Sequence, residues 1–192
     1  MGRDTLTVQA AKPAVFLDRD GVLNEVVVCK GRPGPPRDVA KLVITQGAGA
    51  ALEKLKSEGF LLIVVTNQPD IARGKANRAD VNKINAQLST ILPLDAIEVC
   101  EHDDKDKCGC RKPKPGMILG AAEKFGVDLA SSFMVGDRWR DIEAGRRAGC
   151  RTILIGDGYG ETFPSAPTIK LASLPRATFW IIRQSRVERR II

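Results

Sequence analysis

Residues 14–22, with the sequence AVFLDRDGV, place four apolar residues directly before two carboxylates and a glycine. A short apolar run bounded by turn residues is typical of a strand buried on both faces of a parallel sheet. Open α/β sheets bind their ligands at the carboxyl ends of such strands. Asp18 and Asp20 therefore stand where chemistry is expected, and because neighbouring carboxylates repel each other, we expect a divalent cation to hold them.

Apolar runs and helix signals alternate along the rest of the chain. We predict strands over residues 14–18, 60–65, 94–99, 133–135 and 152–155, and helices over 47–58, from about 77, from 115 to 126, over 139–148 and over 174–183. This alternation predicts a doubly wound, Rossmann-like α/β fold, with a parallel sheet and helices on both faces. The proline- and glycine-rich stretch within residues 21–46 predicts an irregular loop.

The length of 192 residues suits a single domain over residues 1–192. Its core is expected at about 13–160, with a basic C-terminal tail over about 183–192. No interval between the motifs is long enough for a separate cap domain. The substrate pocket should therefore be open, and the loops at 24–37, 68–76 and 100–111 should shape it.

The formal net charge is +7, of which the tail supplies +3 through four arginines and one glutamate. A mild basic excess favours an anionic substrate and is weak support for nucleic acid. The tail is expected to be solvated, and binding of a polynucleotide is the alternative. Because the sequence contains no apolar run of bilayer length and no signal-peptide pattern, we expect a cytoplasmic protein that does not contact the membrane.

Three of the five cysteines fall close together with the only histidine, in the pattern Cys100-x-His102-x5-Cys108-x-Cys110. In a chain without a signal peptide this cluster favours a metal over disulfides. The four side chains are of the type that fills a tetrahedral zinc site, which would then be structural. A set of free thiols on a charged loop is the alternative. Cys29 and Cys150 lie apart and are expected to be ordinary cysteines.

Polar side chains follow the other predicted strands as well. Thr66 follows the second strand, Asp137 follows the fourth with Asp141 one helical turn later, and Lys112 precedes a helix start. The carboxyl ends of parallel strands meet at one edge of the sheet, so these groups should converge there.

This order of motifs resembles the haloacid dehalogenase (HAD) superfamily over about residues 13–160. Within it, Asp18-Arg19-Asp20-Gly21, Thr66-Asn67-Gln68, the Cys/His loop and Arg111-Lys112-Pro113 are similar to the capless phosphatases. These include the heptose bisphosphate and histidinol-phosphate phosphatases. Residues 69–74, PDIARG, differ from the Ser-Gly-Ile-Ala-Arg-Gly of that family at the first two positions, beside the expected substrate site.

The resemblance implies a role for each motif. Asp18 would attack phosphorus and become an aspartyl phosphate, while Asp20 would act as the general acid and base. Asp18, the backbone carbonyl of Asp20, and Asp137 would hold Mg²⁺, with Asp141 orienting this cluster. The roles of Thr66 and Lys112 would be to bind a phosphoryl oxygen and to offset negative charge, respectively.

Three residues are expected to contact the substrate: Asn67, Arg111 and Arg138. Zinc in the Cys/His loop would fix Arg111 and Lys112, which follow it directly, and Arg111 could then bind a distal anionic or hydroxyl group. Arg138 follows Asp137 and could touch the substrate, or it could be a solvated arginine at a helix start.

Taken together, the resemblance implies a Mg²⁺-dependent phosphomonoester hydrolase acting on a small sugar phosphate. The sequence does not determine the oligomeric state, for which a monomer is favoured. D-glycero-D-manno-heptose 1,7-bisphosphate, losing its 7-phosphate, is the favoured substrate. Histidinol phosphate is the alternative within the same reaction. A phosphatase of nucleic-acid ends and an inactive zinc-stabilised binding protein are the two other functions considered.

Overall fold

The computed structural model describes residues 11–29 and 32–188. Within them the strands are β1 (Ala14–Leu17), β2 (Val27–Cys29), β3 (Arg32–Gly34), β4 (Leu61–Asn67), β5 (Ala96–Cys100), β6 (Phe133–Gly136), β7 (Arg151–Ile155) and β8 (Ile169–Leu171). The helices are α1 (Ala48–Ser57), α2 (Arg78–Ile91), α3 (Gly116–Phe125), α4 (Trp139–Ala148) and α5 (Leu174–Glu188), with short 3-10 turns at Val39–Lys41 and Asp104–Asp106.

Six strands form one parallel sheet in the order β5-β4-β1-β6-β7-β8. The chain winds outward from β1 through β4 to β5, and then crosses back to place β6 on the other side of β1. The strand order therefore reverses between β1 and β6, which is where an open α/β sheet forms a ligand crevice. The predicted doubly wound parallel sheet is confirmed.

Strand β1 lies at the centre of the core because both of its faces are covered. Val15 and Leu17 pack into a cluster with apolar side chains of α1, α2 and α5. Ala14 and Phe16 point to the opposite face, where they pack against α3 and α4. All four side chains are fully buried, so the end of this strand is held rigidly in the middle of three layers.

The structure differs from the sequence-based expectation in the loop after β1 and in two strands of the sheet. Residues 21–46 are not wholly irregular, because β2 and β3 form an antiparallel hairpin in which Val27 is paired with Gly34. Pro33 fits there because an edge strand tolerates a residue without an N–H group. Strand β4 extends through Thr66 and Asn67 instead of ending before them, and β8 adds a sixth strand that was not predicted.

Helix α5 continues to Glu188, five residues beyond the predicted end at residue 183, so residues 184–188 of the basic tail are helical. Ion pairs hold this extension, since Arg186 contacts Glu58 and Arg151 lies 2.6 Å from Glu188. Residues 189–192, the rest of the basic tail, lie outside the described residues. No helix in the described ranges combines the length and the apolar composition needed to cross a bilayer.

Candidate active site

Three carboxylates meet at the point where the strand order reverses. Asp18 directly follows β1 and Asp137 directly follows β6, and the Asp18 N–H donates to the Val135 carbonyl at 2.9 Å. Asp141 projects from the first turn of α4. One carboxylate oxygen from each of the three aspartates lies within 4.8 Å of the others. The predicted convergence of Asp18 and Asp137 is therefore present.

Two glycines allow this close approach. A Cβ atom on Gly21 would lie 1.8 Å from Asp137 Oδ2, and Gly21 also has a φ of +87°. A Cβ atom on Gly136 would lie 2.1 Å from the Cβ of Asp141. Both positions therefore require glycine for steric reasons, and at Gly21 the left-handed backbone adds a second reason.

Lys112 supplies the positive charge at the centre of the cluster. Its Nζ atom lies 2.9 Å from Asp18 Oδ1 and 2.6 Å from Asp141 Oδ1, and its side chain is 2% exposed. The Asn67 side chain fixes the Lys112 backbone twice, because Nδ2 donates to the Lys112 carbonyl at 3.0 Å and Oδ1 accepts from its N–H at 3.1 Å. Asn67 therefore positions Lys112, a role that was not predicted.

The cluster carries more negative charge than Lys112 can balance. Burial raises the pKa of Asp18 to about 7, although Lys112 opposes this rise. Burial, together with the charge of Asp18, raises the pKa of Asp137 to about 8. Burial lowers the pKa of Lys112, but the carboxylates of Asp141 and Asp18 outweigh it and the net shift is upward. The raised pKa values mean that these carboxylates either bind protons or require a further cation to stay ionised.

These residues fit a magnesium ion. Mg²⁺ prefers carboxylate oxygens, and a divalent charge would balance three carboxylates beside one ammonium group. Asp137 Oδ1 is buried and accepts no hydrogen bond from any residue in the described ranges. A buried carboxylate oxygen without a partner is costly, so it marks a position where a cation would be bound.

Asp20 is held by a network of side chains that the sequence did not predict. Arg19 is fully buried, and its Nε and Nη2 atoms donate to the two Asp20 carboxylate oxygens at 3.2 and 3.0 Å. Asn24 and Gln68 donate to the same carboxylate at 3.0 and 2.9 Å, while Asn85 accepts from Arg19 Nη1 at 2.8 Å. The only signal in the sequence is the charged Arg19 beside a buried strand.

Thr66 is also tied into this network. It is 1% exposed, and its Oγ1 atom accepts a hydrogen bond from Gln68 Nε2 at 2.9 Å. Gln68 lines the pocket and Thr66 does not. The expected contact between Thr66 and a phosphoryl oxygen therefore stays a prediction.

The Cys/His cluster has the dimensions of a zinc site. Cys100, at the end of β5, has its sulfur 3.8 Å from that of Cys108 and 3.2 Å from that of Cys110. The His102 Nδ1 atom lies 3.7 Å from the Cys100 sulfur and 3.4 Å from the Cys110 sulfur. A tetrahedron with Zn–S bonds of about 2.3 Å has edges of about 3.8 Å. The four side chains therefore fit a closed tetrahedral site.

The residue after this cluster, Arg111, faces the pocket. Its Nε atom donates to Asp104 Oδ1 at 2.8 Å, which lowers the pKa of that carboxyl. Its Nη1 atom is buried and has no hydrogen-bond partner in the part of the chain that the structure describes. A guanidinium group that is fixed at one edge and has no hydrogen-bond acceptor at the other can donate to an anionic ligand.

The opposite wall carries an unpredicted tyrosine. The Tyr159 hydroxyl donates to Asp137 Oδ2 at 2.7 Å. Arg138 lies over the Tyr159 ring, 5.7 Å from its centroid, and pairs with Glu161 through its Nε atom at 3.0 Å. Arg138 is therefore not a freely solvated arginine, because Glu161 and the Tyr159 ring both contact it. Its expected contact with the substrate stays a prediction.

The resulting pocket is open and has a volume of about 960 Å³. A chain of ion pairs runs along its mouth. Asp70 contacts Arg37 at 3.1 Å and Arg73 at 3.5 Å, and Arg73 contacts Asp103 at 2.5 Å. These four residues belong to the three loops expected to shape the pocket. Asp70, which departs from the family pattern, links the first loop to the second, together with a hydrogen bond that Arg37 Nη1 donates to the Lys75 carbonyl at 2.6 Å.

Residues 109–173 match the model of the HAD-hydrolase-like family. The D-glycero-β-D-manno-heptose-1,7-bisphosphate 7-phosphatase of Vibrio cholerae is 34% identical over 188 residues, covering 90% of this chain and 98% of that protein. The protein of the same name from Escherichia coli K12 is 35% identical over 184 residues, covering 86% and 93%. The structure of the D,D-heptose 1,7-bisphosphate phosphatase of B. bronchiseptica, complexed with magnesium and phosphate, has a TM-score of 0.77 at 30% identity and covers 90% of this chain and 99% of that one.

Proposed function

The chain belongs to the D-glycero-β-D-manno-heptose-1,7-bisphosphate 7-phosphatases, a family of HAD-superfamily phosphatases, and from this membership we propose that it removes the 7-phosphate of that sugar bisphosphate. The observation that carries the proposal is the meeting of Asp18, Lys112 and Asp137 at the crevice of the sheet. This set joins a nucleophile, a fixed positive charge and a cation ligand, which phosphoryl transfer requires.

We propose two bound metals. Asp18, the backbone carbonyl of Asp20, and Asp137 would hold Mg²⁺, which when bound polarises phosphoryl oxygens and offsets their charge. The B. bronchiseptica relative is complexed with magnesium and phosphate, which supports this assignment. Cys100, His102, Cys108 and Cys110 would hold a structural zinc ion, because their spacing leaves no ligand position open for chemistry.

The first step transfers the phosphoryl group to the protein. A carboxylate oxygen of Asp18 attacks phosphorus, the bond from phosphorus to the sugar oxygen breaks, and protonated Asp20 gives its proton to that oxygen. Lys112 remains 2.9 Å from Asp18 Oδ1, so its charge offsets the negative charge that collects there. The product leaves as the sugar 1-phosphate, with a free hydroxyl group at position 7.

The second step restores the protein. Asp20, now ionised, removes a proton from water, the water oxygen attacks phosphorus, and the bond between phosphorus and Asp18 breaks. Inorganic phosphate leaves, and Asp20 is again protonated. The Arg19, Asn24 and Gln68 contacts hold the Asp20 carboxylate in place through both steps.

Arg111 is proposed to select the substrate. Its buried and unpaired Nη1 atom supports a contact with the phosphate that is not removed. The Asp104 carboxylate keeps the guanidinium plane fixed, so little side-chain entropy is lost when the second anion binds.

A panel of phosphate esters tests the proposed function. With Mg²⁺ present, the heptose 1,7-bisphosphate should have a kcat/KM at least about tenfold above that of histidinol phosphate, a heptose monophosphate or a phosphorylated oligonucleotide end. Phosphate release should stop at one equivalent and leave the 1-phosphate. A preference for histidinol phosphate or for the oligonucleotide would contradict the proposed substrate.

Asp20→Asn tests the acid–base role. Because the amide cannot donate a proton to an alkoxide, turnover of the sugar bisphosphate should fall by about 10²–10⁴-fold. An aryl phosphate, whose leaving group needs no proton, should still phosphorylate Asp18 and give a burst of one aryl alcohol per chain. Stopped-flow absorbance measures the burst. Unimpaired turnover of the sugar ester would contradict the role of Asp20.

Arg111→Ala tests the contact with the second phosphate. The KM of the bisphosphate should rise by about 10- to 100-fold, which corresponds to a lost charge-assisted contact of about 1.4–2.8 kcal/mol. The KM of a monophosphate that lacks the distal group should change little. Arg147→Ala, which removes an arginine paired with Glu143 on α4, is the control. Equal losses on both substrates would show that Arg111 is structural.

The raised pKa values of Asp18 and Asp137 predict how stability depends on pH. An unfolded aspartate ionises near pH 4, whereas the folded pKa values are about 7 and about 8. The stability contributed by the protonated forms is therefore present below pH 4 and is lost as pH rises through 7 and 8. Without Mg²⁺, the melting temperature should fall by a few degrees over this range.

Magnesium should reverse this loss, because it binds the ionised carboxylates. Calorimetric melting at matched ionic strength, with Mg²⁺ or with a chelator, measures the effect. The gain in melting temperature from Mg²⁺ should be larger at pH 8 than at pH 6. A gain that is larger at pH 6 would contradict the electrostatic account of the cluster.

A further inference from the structure

The segment after β7 is shaped to bring one tyrosine onto the acid cluster. Gly156, Gly158 and Gly160 have φ values of +73°, +74° and +68°, and Tyr159 between them has a φ of +55°. A left-handed backbone is uncommon for a residue other than glycine, and for a bulky side chain it persists only where surrounding contacts maintain it. The backbone of Tyr159 is therefore in an unfavourable conformation, and this conformation orients its side chain toward the acid cluster.

The contact that Tyr159 makes is short and closely packed. Its hydroxyl donates to Asp137 Oδ2 at 2.7 Å. A Cβ atom placed on Gly21 would lie 1.8 Å from that same oxygen and 3.1 Å from the hydroxyl, so three segments of the chain meet there without space between them. A hydrogen bond to a carboxylate in such a setting is stronger than one between neutral groups.

The two oxygens of Asp137 differ as a result. Oδ2 is occupied by Tyr159, while Oδ1 is buried and has no hydrogen-bond partner among the described residues. We propose that Tyr159 is a positioning residue that fixes the Asp137 carboxylate so that Oδ1 is presented to the magnesium ion. This inference rests on the proposed function, because it requires the cation that the phosphatase reaction uses.

Other contacts hold the segment independently of the hydroxyl. The Glu161 N–H donates to the Gly158 carbonyl at 3.0 Å, and Glu161 also pairs with Arg138. A Cβ atom on Gly158 would lie 2.6 Å from the Phe163 ring, so that ring packs directly on the turn. Tyr159→Phe removes one oxygen atom and leaves these contacts in place. Its effect on the metal is therefore separable from an effect on folding.

The experiment measures Mg²⁺ binding without substrate, by titration calorimetry of the metal-free protein. Tyr159→Phe should raise the Kd for Mg²⁺ by about tenfold or more, as is typical when a partner of a metal ligand is removed. The metal-free variant should still unfold cooperatively, with a melting temperature lower by no more than a few degrees, which is the cost of one lost hydrogen bond. Phe179→Leu, at an exposed position on α5 away from the site, is the control and should leave the Kd unchanged.

A second measurement follows Tyr159 in the wild-type protein and needs no substitution. Tyr159 is the only tyrosine in the chain, so protein labelled with 3-fluorotyrosine has a single ¹⁹F resonance. That resonance should shift when Mg²⁺ is added. Equal Kd values for the wild type and Tyr159→Phe, or a ¹⁹F signal that ignores Mg²⁺, would overturn the inference and leave the phosphatase assignment intact. A wild type that binds no Mg²⁺ at millimolar concentrations would overturn both.

Discussion

Asp18→Asn should reduce turnover of the sugar bisphosphate by about 10⁴-fold or more, because an amide cannot form the aspartyl phosphate on which both steps depend. The substitution keeps the size and shape of the side chain, so substrate binding should survive. Phosphate release at saturating substrate measures the loss. The matched control is Asp80→Asn, at a half-exposed position in the first turn of α2 where the carboxylate pairs with Lys83, and it should leave turnover unchanged.

The same substitution should make the metal-free protein more stable at high pH. Burial raises the pKa of Asp18 to about 7, so its ionised form is less favourable in the folded protein than in the unfolded chain. A neutral amide removes that cost, and the unfolding free energy at pH 8 should rise by roughly 1 kcal/mol or more. Loss of both activity and stability would mean that the Asp18 carboxylate stabilises the fold, and it would contradict the expected gain in stability.

Cys110→Ser should remove zinc and most of the activity together. Structural zinc sites contribute about 10–16 kcal/mol of apparent binding free energy in small peptides, and loss of a thiolate ligand gives up much of it. Arg111 and Lys112 follow Cys110 directly, so their placement depends on the loop. We expect zinc to fall from about one equivalent to nearly none and kcat/KM to fall by about 10²-fold or more.

Elemental analysis of the purified protein and the phosphate-release assay measure the two effects. Cys150→Ala is the matched control, because Cys150 is buried against α4 outside the cluster and should leave zinc content unchanged. A wild type without zinc would contradict the zinc site. Full activity in zinc-free Cys110→Ser would show instead that the loop holds Arg111 and Lys112 without the metal.

Local sequence patterns were sufficient to predict the parallel sheet and the alternation of its strands with helices. Buried strands are continuous apolar runs, and the four residues before Asp18 are of this kind, so the central strand and its carboxylate-bearing end could be placed. The edge elements have weaker signals. The hairpin that includes Pro33 contains turn-type residues, and β8 is only three residues long, with an exposed lysine between two half-buried residues. Periodicity cannot identify segments so short.

The motif residues of the site were predicted through the superfamily resemblance, but their supporting contacts were not. Arg19 meets Asn85 across 66 positions of sequence, and Tyr159 meets Asp137 across 22. Neither pair has a local signature, because only the folded chain brings its members together. Asn67 shows the same limit, since its motif placed it at the site while its hydrogen bonds to the Lys112 backbone depend on the path of a distant loop.

The ion pairs at the pocket mouth make its shape depend on the salinity of the surroundings. Arg37 and Asp70 have 58% and 21% of their side-chain surface exposed, so dissolved counterions can compete for them. The contact of Lys112 with Asp18 is shielded from solvent and is not weakened in this way. Concentrated salt should therefore loosen the entrance of the pocket before it weakens the buried contact at its base.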